Sequence, residues 1–339
     1  MKSPVLYIVV PCYNEEEVLP ETSKRLKAKL ESLMQAEKIS RRSRIMFVND
    51  GSKDRTWELI SELHKTDSIF SGVNLSRNRG HQNALLAGLM TAKELCDVSI
   101  SMDADLQDDI DAVDEMVDKY LAGCDIVYAV RSSRKKDTFF KRFTAEAFYR
   151  LMNFLGAQTV FNHADYRLMS RRALEGLAQF KEVNLFLRGI VPMIGYTTAT
   201  VEYERGERFA GESKYPLKKM LKFALEGITS LSTKPIRYIT LLGMLIFFVS
   251  IVMLIVFIVQ WALGVTVVGW ASVICSVWAI GGLILFSLGV IGEYIGKIYL
   301  ESKQRPRFLI RDILDELDRE IHCLYCSCCF YKLIDFKRT

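Results

Sequence analysis

Through the first 130 residues, short apolar runs alternate with longer stretches whose apolar positions recur every three or four residues. Residues 5–10 predict a buried strand, and the spacing of Leu26, Leu30 and Leu33 predicts the helix after it. A second strand is expected at 45–48, with a helix carrying Trp57, Ile60 and Leu63. A third strand at 72–75 precedes a helix at 84–92. A fourth at 98–102 leads to an amphipathic helix at 110–121, and a fifth occupies 126–130. Asn14 and Asp54 stand where helix N-caps belong. This βαβα order predicts an α/β domain with a mainly parallel sheet and helices on both faces. Further along, the pattern predicts a helix at 139–155, strands at 164–169 and 197–203, and amphipathic helices within 214–231 that set lysines against Leu217, Met220, Leu221, Phe223 and Leu225. A helix of that kind suits a membrane interface.

Charge then changes the picture. Residues 238–292 contain no Asp, Glu, Lys or Arg. A membrane crossing needs about 20 apolar residues, so this run predicts two transmembrane helices, at about 236–259 and 270–292, joined by a turn at 260–269. From 205 to 237 there are eight basic residues against three acidic, and Lys297, Lys303, Arg305 and Arg307 follow the second span. Basic outer flanks around an uncharged turn place both termini in the cytoplasm, giving a multi-pass cell-membrane protein. The expected organisation is a catalytic domain at 1–210, an interfacial segment at 211–235, the hairpin at 236–296 and a cytosolic C-terminal segment at 297–339. The apolar run at the N-terminus is short and meets Glu15, Glu16 and Glu17 at once, unlike a signal peptide. Cysteines before residue 300 read as reduced thiols. The Cys323, Cys326, Cys328 and Cys329 tail reads as accessory, with zinc or lipidation as alternatives.

The predicted strand-to-helix loops are polar and rich in Asp, Asn, Gly and Arg, as a nucleotide crevice requires. No G-x-G-x-x-G follows the first strand and no G-x-x-x-x-G-K-[ST] occurs, which disfavours a dinucleotide dehydrogenase and a P-loop enzyme. At the end of the fourth strand stand Asp103 and Asp105, one residue apart. Open α/β sheets bind ligands at that end of a strand. Two carboxylates on a tight loop suit Mg2+ or Mn2+, which keep waters and share substrate phosphates.

Pro11-Cys12-Tyr13-Asn14-Glu15, Asn49-Asp50-Gly51-Ser52, Asp103-Ala104-Asp105-Leu106-Gln107 and Gly211-Glu212-Ser213-Lys214-Tyr215 together resemble the family 2 glycosyltransferases of GT-A fold. Within that family the chain is similar to polyprenyl-phosphate glycosyltransferases, such as bactoprenol glucosyltransferases and dolichyl-phosphate mannosyl synthases. The resemblance covers about 5–317, and the Q-x-x-R-W motif of processive polysaccharide synthases is absent. It implies an inverting, metal-dependent transfer of a hexose from a nucleotide diphosphate sugar to undecaprenyl phosphate. UDP-glucose is the favoured donor; UDP-N-acetylglucosamine, UDP-galactose and GDP-mannose remain open.

Carried onto this chain, the resemblance assigns Pro11, Tyr13, Glu15 and Asp50 to the nucleoside, with Asp103 and Ala104 alongside. Asp103, Asp105 and Gln107 are assigned to the metal. Arg131 and Arg208 would stabilise the leaving diphosphate, and Asp165 would serve as base or organiser near the acceptor. Arg205, Arg208, Ser213 and Lys214 would hold the lipid head group. The resemblance further implies a homo-oligomer with no nucleic-acid partner. A membrane scaffold that binds nucleotide sugar without turnover is the rival from another class.

Overall fold

The computed structural model describes residues 3–131, 163–204, 234–263 and 270–315. Strand β1 (Leu6–Cys12) leads to helix α1 (Leu19–Gln35), β2 (Arg44–Asn49) to α2 (Thr56–Thr66), β3 (Phe70–Leu75) to α3 (His81–Leu95), and β4 (Val98–Ser101) to α4 (Ala112–Leu121). Then come β5 (Ile126–Arg131), β6 (His163–Ser170), α5 (Arg171–Ala178), α6 (Leu187–Met193) and β7 (Thr198–Tyr203). Two long apolar helices, α7 (Lys234–Ala262) and α8 (Trp270–Ser302), precede a last strand, β8 (Ile310–Leu314).

The sheet order is β7-β5-β6-β4-β1-β2-β3-β8. The β1–β2, β1–β4, β2–β3 and β5–β7 pairs are parallel. The β4–β6, β5–β6 and β3–β8 pairs are antiparallel. The mainly parallel sheet expected from the βαβα order is therefore a mixed one. The reason is that β6 inserts between β4 and β5 running backwards, and apolar periodicity carries no information about strand direction. A period of two along each strand feeds two cores. Leu6, Ile8 and Val10 pack with Leu26, Leu30, Ile60 and Val113 under α1, α2 and α4. Tyr7, Val9, Met46 and Val48 pack with Leu86, Leu89, Leu174 and Ile190 under α3, α5 and α6. Helices thus cover both faces, as expected.

Two predicted caps are corrected. Asn14 sits at φ 55, outside any helix, and α1 begins only after Val18 with Pro20 in its first turn. Asn14 instead links two loops: its N–H donates to Ser52 Oγ at 3.0 Å and its Oδ1 accepts from the Lys53 N–H at 2.9 Å. Asp54 stands one residue before the N-cap of α2, where its Oδ1 accepts from both the N–H and the hydroxyl of Thr56.

The two apolar helices run past the ends expected for them, α8 by ten residues. Among the described residues, Ile280–Ser302 is the stretch long and apolar enough to cross a membrane, with a mean hydropathy of 1.6; Ile236–Ile246 is a shorter apolar segment. The C-terminal segment also holds a strand that the sequence did not suggest. β8 returns to the sheet edge beside β3, Ser76 N–H donates to the Leu309 carbonyl at 2.9 Å, and Tyr7 OH donates to Asp315 Oδ2 at 3.2 Å. The helix expected at 139–155, the amphipathic segment at 214–231 and the cysteine-bearing tail lie outside the described residues.

Candidate active site

The carboxyl ends of β1, β2 and β4 lie side by side at one edge of the parallel part of the sheet. Asn49 and Asp50 close β2, and both are buried. Gly51 takes φ +64, and a Cβ there would lie 2.5 Å from Asn78 N and 2.6 Å from Arg77 C, so the β2 and β3 loops touch backbone to backbone. Asp50 secures that crossing. Its Oδ1 accepts from Arg79 N–H at 2.7 Å and its Oδ2 from Gly80 N–H at 2.9 Å. Burial raises its pKa, and these two hydrogen bonds oppose the rise. The Asp50 that the resemblance assigns to a nucleotide base thus also holds, with one bond to each oxygen, the loop that starts α3. Pro11 is buried at the end of β1, while Tyr13, just past it, is 41% exposed. Glu15 N–H donates to Thr56 Oγ1, and its carbonyl accepts from Val18 and Leu19 as the chain turns into α1.

The loop after β4 is clamped from behind. Buried Thr22 on α1 donates to the Ala104 carbonyl at 2.8 Å. Asp105 Oδ1 accepts from Gln107 N–H at 3.2 Å, closing an Asx turn around Leu106, which is buried at φ 56. A left-handed non-glycine residue costs roughly 1–3 kcal/mol, and such strain persists where the surroundings over-determine it, commonly at functional sites. Tyr203 OH donates to Asp108 Oδ1 at 2.6 Å and Tyr166 OH to the Asp109 carbonyl at 2.8 Å, with the two rings edge to face.

Asp165, on β6, faces this loop. Its side chain is about 10% exposed and meets three cations. Arg167 Nη2 donates to Oδ1 at 2.9 Å, and Arg188, from α6, donates through Nε to Oδ1 at 3.3 Å and through Nη2 to Oδ2 at 3.1 Å. His81, the first residue of α3, places Nε2 3.7 Å from Asp165 Oδ2 and 3.6 Å from Asp103 Oδ1. Burial works against a charged imidazole, yet the Asp165 and Asp103 carboxylates lift the His81 pKa to about 9. Burial also works against the Asp165 carboxylate, but Arg188, His81 and Arg167 hold it well below the usual range. Asp103 is pushed up by burial and by the neighbouring Asp165 and Asp105 charges, against the pull of His81. The His81 and Asp103 side chains keep 43% and 41% exposure, so solvent reaches both and tempers these effects.

The structure thus gathers Asp103 and Asp165 around His81, with Asp105 two residues from Asp103. Arg131 ends β5 opposite Tyr203 of β7. Arg205, Arg208, Ser213 and Lys214 lie outside the described residues. His81 and Arg188 were not singled out from the sequence. Arg188 had a signal, being the lone charge within the apolar run 185–191. His81 had only its place after Gly80 at the head of a helix.

Among the described residues, no three His, Cys, Asp or Glu side chains form a complete metal cage. Two carboxylates on a tight loop instead fit a hard divalent cation that completes its shell with water and diphosphate oxygens. Asp103 and Asp105, with Gln107 beside them, are the residues of the right chemistry.

The model of the family Glycosyl transferase family 2 matches residues 7–177. The chain is 57% identical over 307 residues to the uncharacterized glycosyltransferase YkoT of Bacillus subtilis, covering 91% of each chain. It is 40% identical to the bactoprenol glucosyl transferase of Shigella phage SfV, over 90% of this chain and 97% of that one. The prophage bactoprenol glucosyl transferase homolog of Escherichia coli is 39% identical over 90% of this chain and 98% of its own. The protein belongs to glycosyl transferase family 2 and is a glycosyltransferase, as its four motifs imply.

Proposed function

We propose that this enzyme transfers a hexose, in first place glucose from UDP-glucose, to a polyprenyl phosphate at the cytoplasmic face of the cell membrane. The observation that carries this reading is the convergence of Asp103, His81 and Asp165 beside the Asp105 loop, in a chain about 40% identical to proteins named bactoprenol glucosyl transferase. Large apolar side chains standing exposed along α7 and α8, among them Leu241, Phe248, Leu285 and Phe286, support a membrane hairpin, since soluble proteins do not leave such continuous apolar faces bare.

In this reading Asp103, Asp105 and Gln107 hold a divalent cation that offsets the charge gained by the leaving nucleoside diphosphate. His81 stands between Asp103 and Asp165, 3.6 Å and 3.7 Å from their oxygens, and links the loop after β4 to β6. Pro11, Tyr13 and Glu15 line the nucleoside end, and Asp50 shapes it by fixing the 79–80 backbone. Asp165 is an organiser: a carboxylate held ionised by two guanidiniums is a poor proton acceptor. A phosphate acceptor is already an anion at neutral pH, so positioning it supplies most of the help. Arg188 then faces the acceptor side with its geometry locked by Asp165. Arg131, Arg205, Arg208, Ser213 and Lys214 are proposed to grip the diphosphate and the lipid phosphate, and the protein to act as a homo-oligomer.

The test incubates the purified full-length protein with Mn2+ or Mg2+, undecaprenyl phosphate in vesicles, and labelled UDP-glucose, UDP-N-acetylglucosamine, UDP-galactose or GDP-mannose in turn. Labelled lipid with one donor is expected. Donor binding without turnover of any donor would favour the scaffold instead.

A further inference from the structure

The C-terminal end of α8 is fastened to the site by one carboxylate. Glu301 Oε2 accepts from Val183 N–H at 2.8 Å, and its Oε1 accepts from Asn184 N–H at 2.8 Å and from Asn184 Nδ2 at 2.7 Å. Asn184 Nδ2 also reaches the Lys297 carbonyl, one helical turn back, at 3.4 Å. After the helix ends, Arg307 Nη1 donates to the Phe180 carbonyl at 2.9 Å, so the strap at 180–184 is held from both sides of the α8 terminus. The strap then runs directly into the site. Leu187 N–H donates to Oε1 of Gln82, the neighbour of His81, and Arg188 is the next residue, paired with Asp165. Three residues, 185–187, therefore separate Asn184, the point of the strap held by Glu301, from the Arg188 guanidinium paired with Asp165.

Three charge-assisted hydrogen bonds from one carboxylate, two of them from consecutive backbone N–H groups, fix the direction as well as the distance of the bend at 183–184 relative to the helix end. The partner here is the helix that Ile280–Ser302 would seat in a bilayer. We propose that Glu301 is a positioning residue, a buckle that sets the Arg188–Asp165–His81 cluster at a fixed height and tilt over the membrane surface so that a lipid-borne phosphate meets the donor. This rests on the lipid-acceptor reading above and adds to it the residue that couples anchor to site.

The test compares two acceptors in the full-length protein with Glu301→Ala, and with Asn184→Ala as a milder variant that removes a single hydrogen-bonding side chain. One acceptor is undecaprenyl phosphate in vesicles; the other is a short, water-soluble prenyl phosphate that needs no bilayer. Misplacement by about an ångström can cost up to a hundredfold in rate, so a fall of roughly tenfold or more is expected with the vesicle acceptor for Glu301→Ala. Transfer to the soluble acceptor and binding of the nucleotide sugar should stay within about twofold, and Glu301→Gln, which keeps an acceptor for Asn184, should fall between wild type and alanine. Equal losses on both acceptors would reduce Glu301 to a structural tie, and no loss on either would overturn the proposal. If the wild-type protein glycosylates the soluble prenyl phosphate but not the vesicle lipid, the buckle is refuted while the chemistry stands. If it glycosylates neither with any donor, the lipid-acceptor reading itself fails.

Discussion

Asn74 Nδ2 donates to Asp312 Oδ2 at 2.8 Å, joining β3 to a residue 238 positions later in the chain. The same Asn74 accepts from Asn49 Nδ2 at 2.8 Å through Oδ1, and Asn49 Oδ1 accepts from Ser52 N–H at 3.1 Å. A strand that follows the apolar helices thus supports the loop that carries Asp50. Asn49 and Asn74 are buried while the Asp312 side chain is 47% exposed, so the two ends of the chain of bonds differ in cost. Asn74→Ala strands the buried Asn49 amide and should lower stability by about 1–3 kcal/mol. Asp312→Ala, partly compensated by water, should cost about 1 kcal/mol or less. Urea or thermal unfolding in detergent, with nucleotide-sugar affinity measured in parallel, checks the order of the two.

Gly51→Ala adds a methyl group into the Asn78 and Arg77 backbone and forces an L-residue into φ +64. Backbone offers no flexible end to move aside, and the strained conformation alone costs about 1 kcal/mol or more. Weaker donor binding and a lower melting temperature are expected together. Unchanged affinity would mean that the crossing of the two loops is irrelevant to the nucleotide.

Arg167 is fully buried, and burial lowers its pKa against the pull of Asp165. Asp165→Asn removes the countercharge and should cost about 3–5 kcal/mol, the range for breaking a buried pair. The pH dependence has a definite sign. A depressed folded-state pKa means that the Asp165 contribution is present above the unfolded aspartate value of about 3.9 and is lost as pH falls below it toward the folded value. The wild-type unfolding midpoint should therefore drop more steeply in acid than that of Asp165→Asn, as measured by urea titrations across the acid range.

How much could be read beforehand differs by element. The strands β1 to β5 and the helices among them were legible because buried strands and amphipathic helices write their periods into the sequence, as the Leu26, Leu30 and Leu33 series does. The reversal of β6 was not, since partner choice is settled by long-range packing. β8 was missed because Ile310–Leu314 carries Arg311 and Asp312 in five residues and reads as a solvated segment. At the site, Asp103, Asp105 and Asp165 were legible as acids in motifs. The direction of Asp50 and the recruitment of His81 and Arg188 were not, because each depends on a partner more than 20 positions away.

Everything in the functional account turns on the acids after β4, and Asp105→Asn tests them most directly. Transfer of labelled hexose from the nucleotide sugar to undecaprenyl phosphate in vesicles should fall to background in this variant, with its unfolding midpoint and circular dichroism unchanged. Full transfer by a folded Asp105→Asn protein would contradict the account.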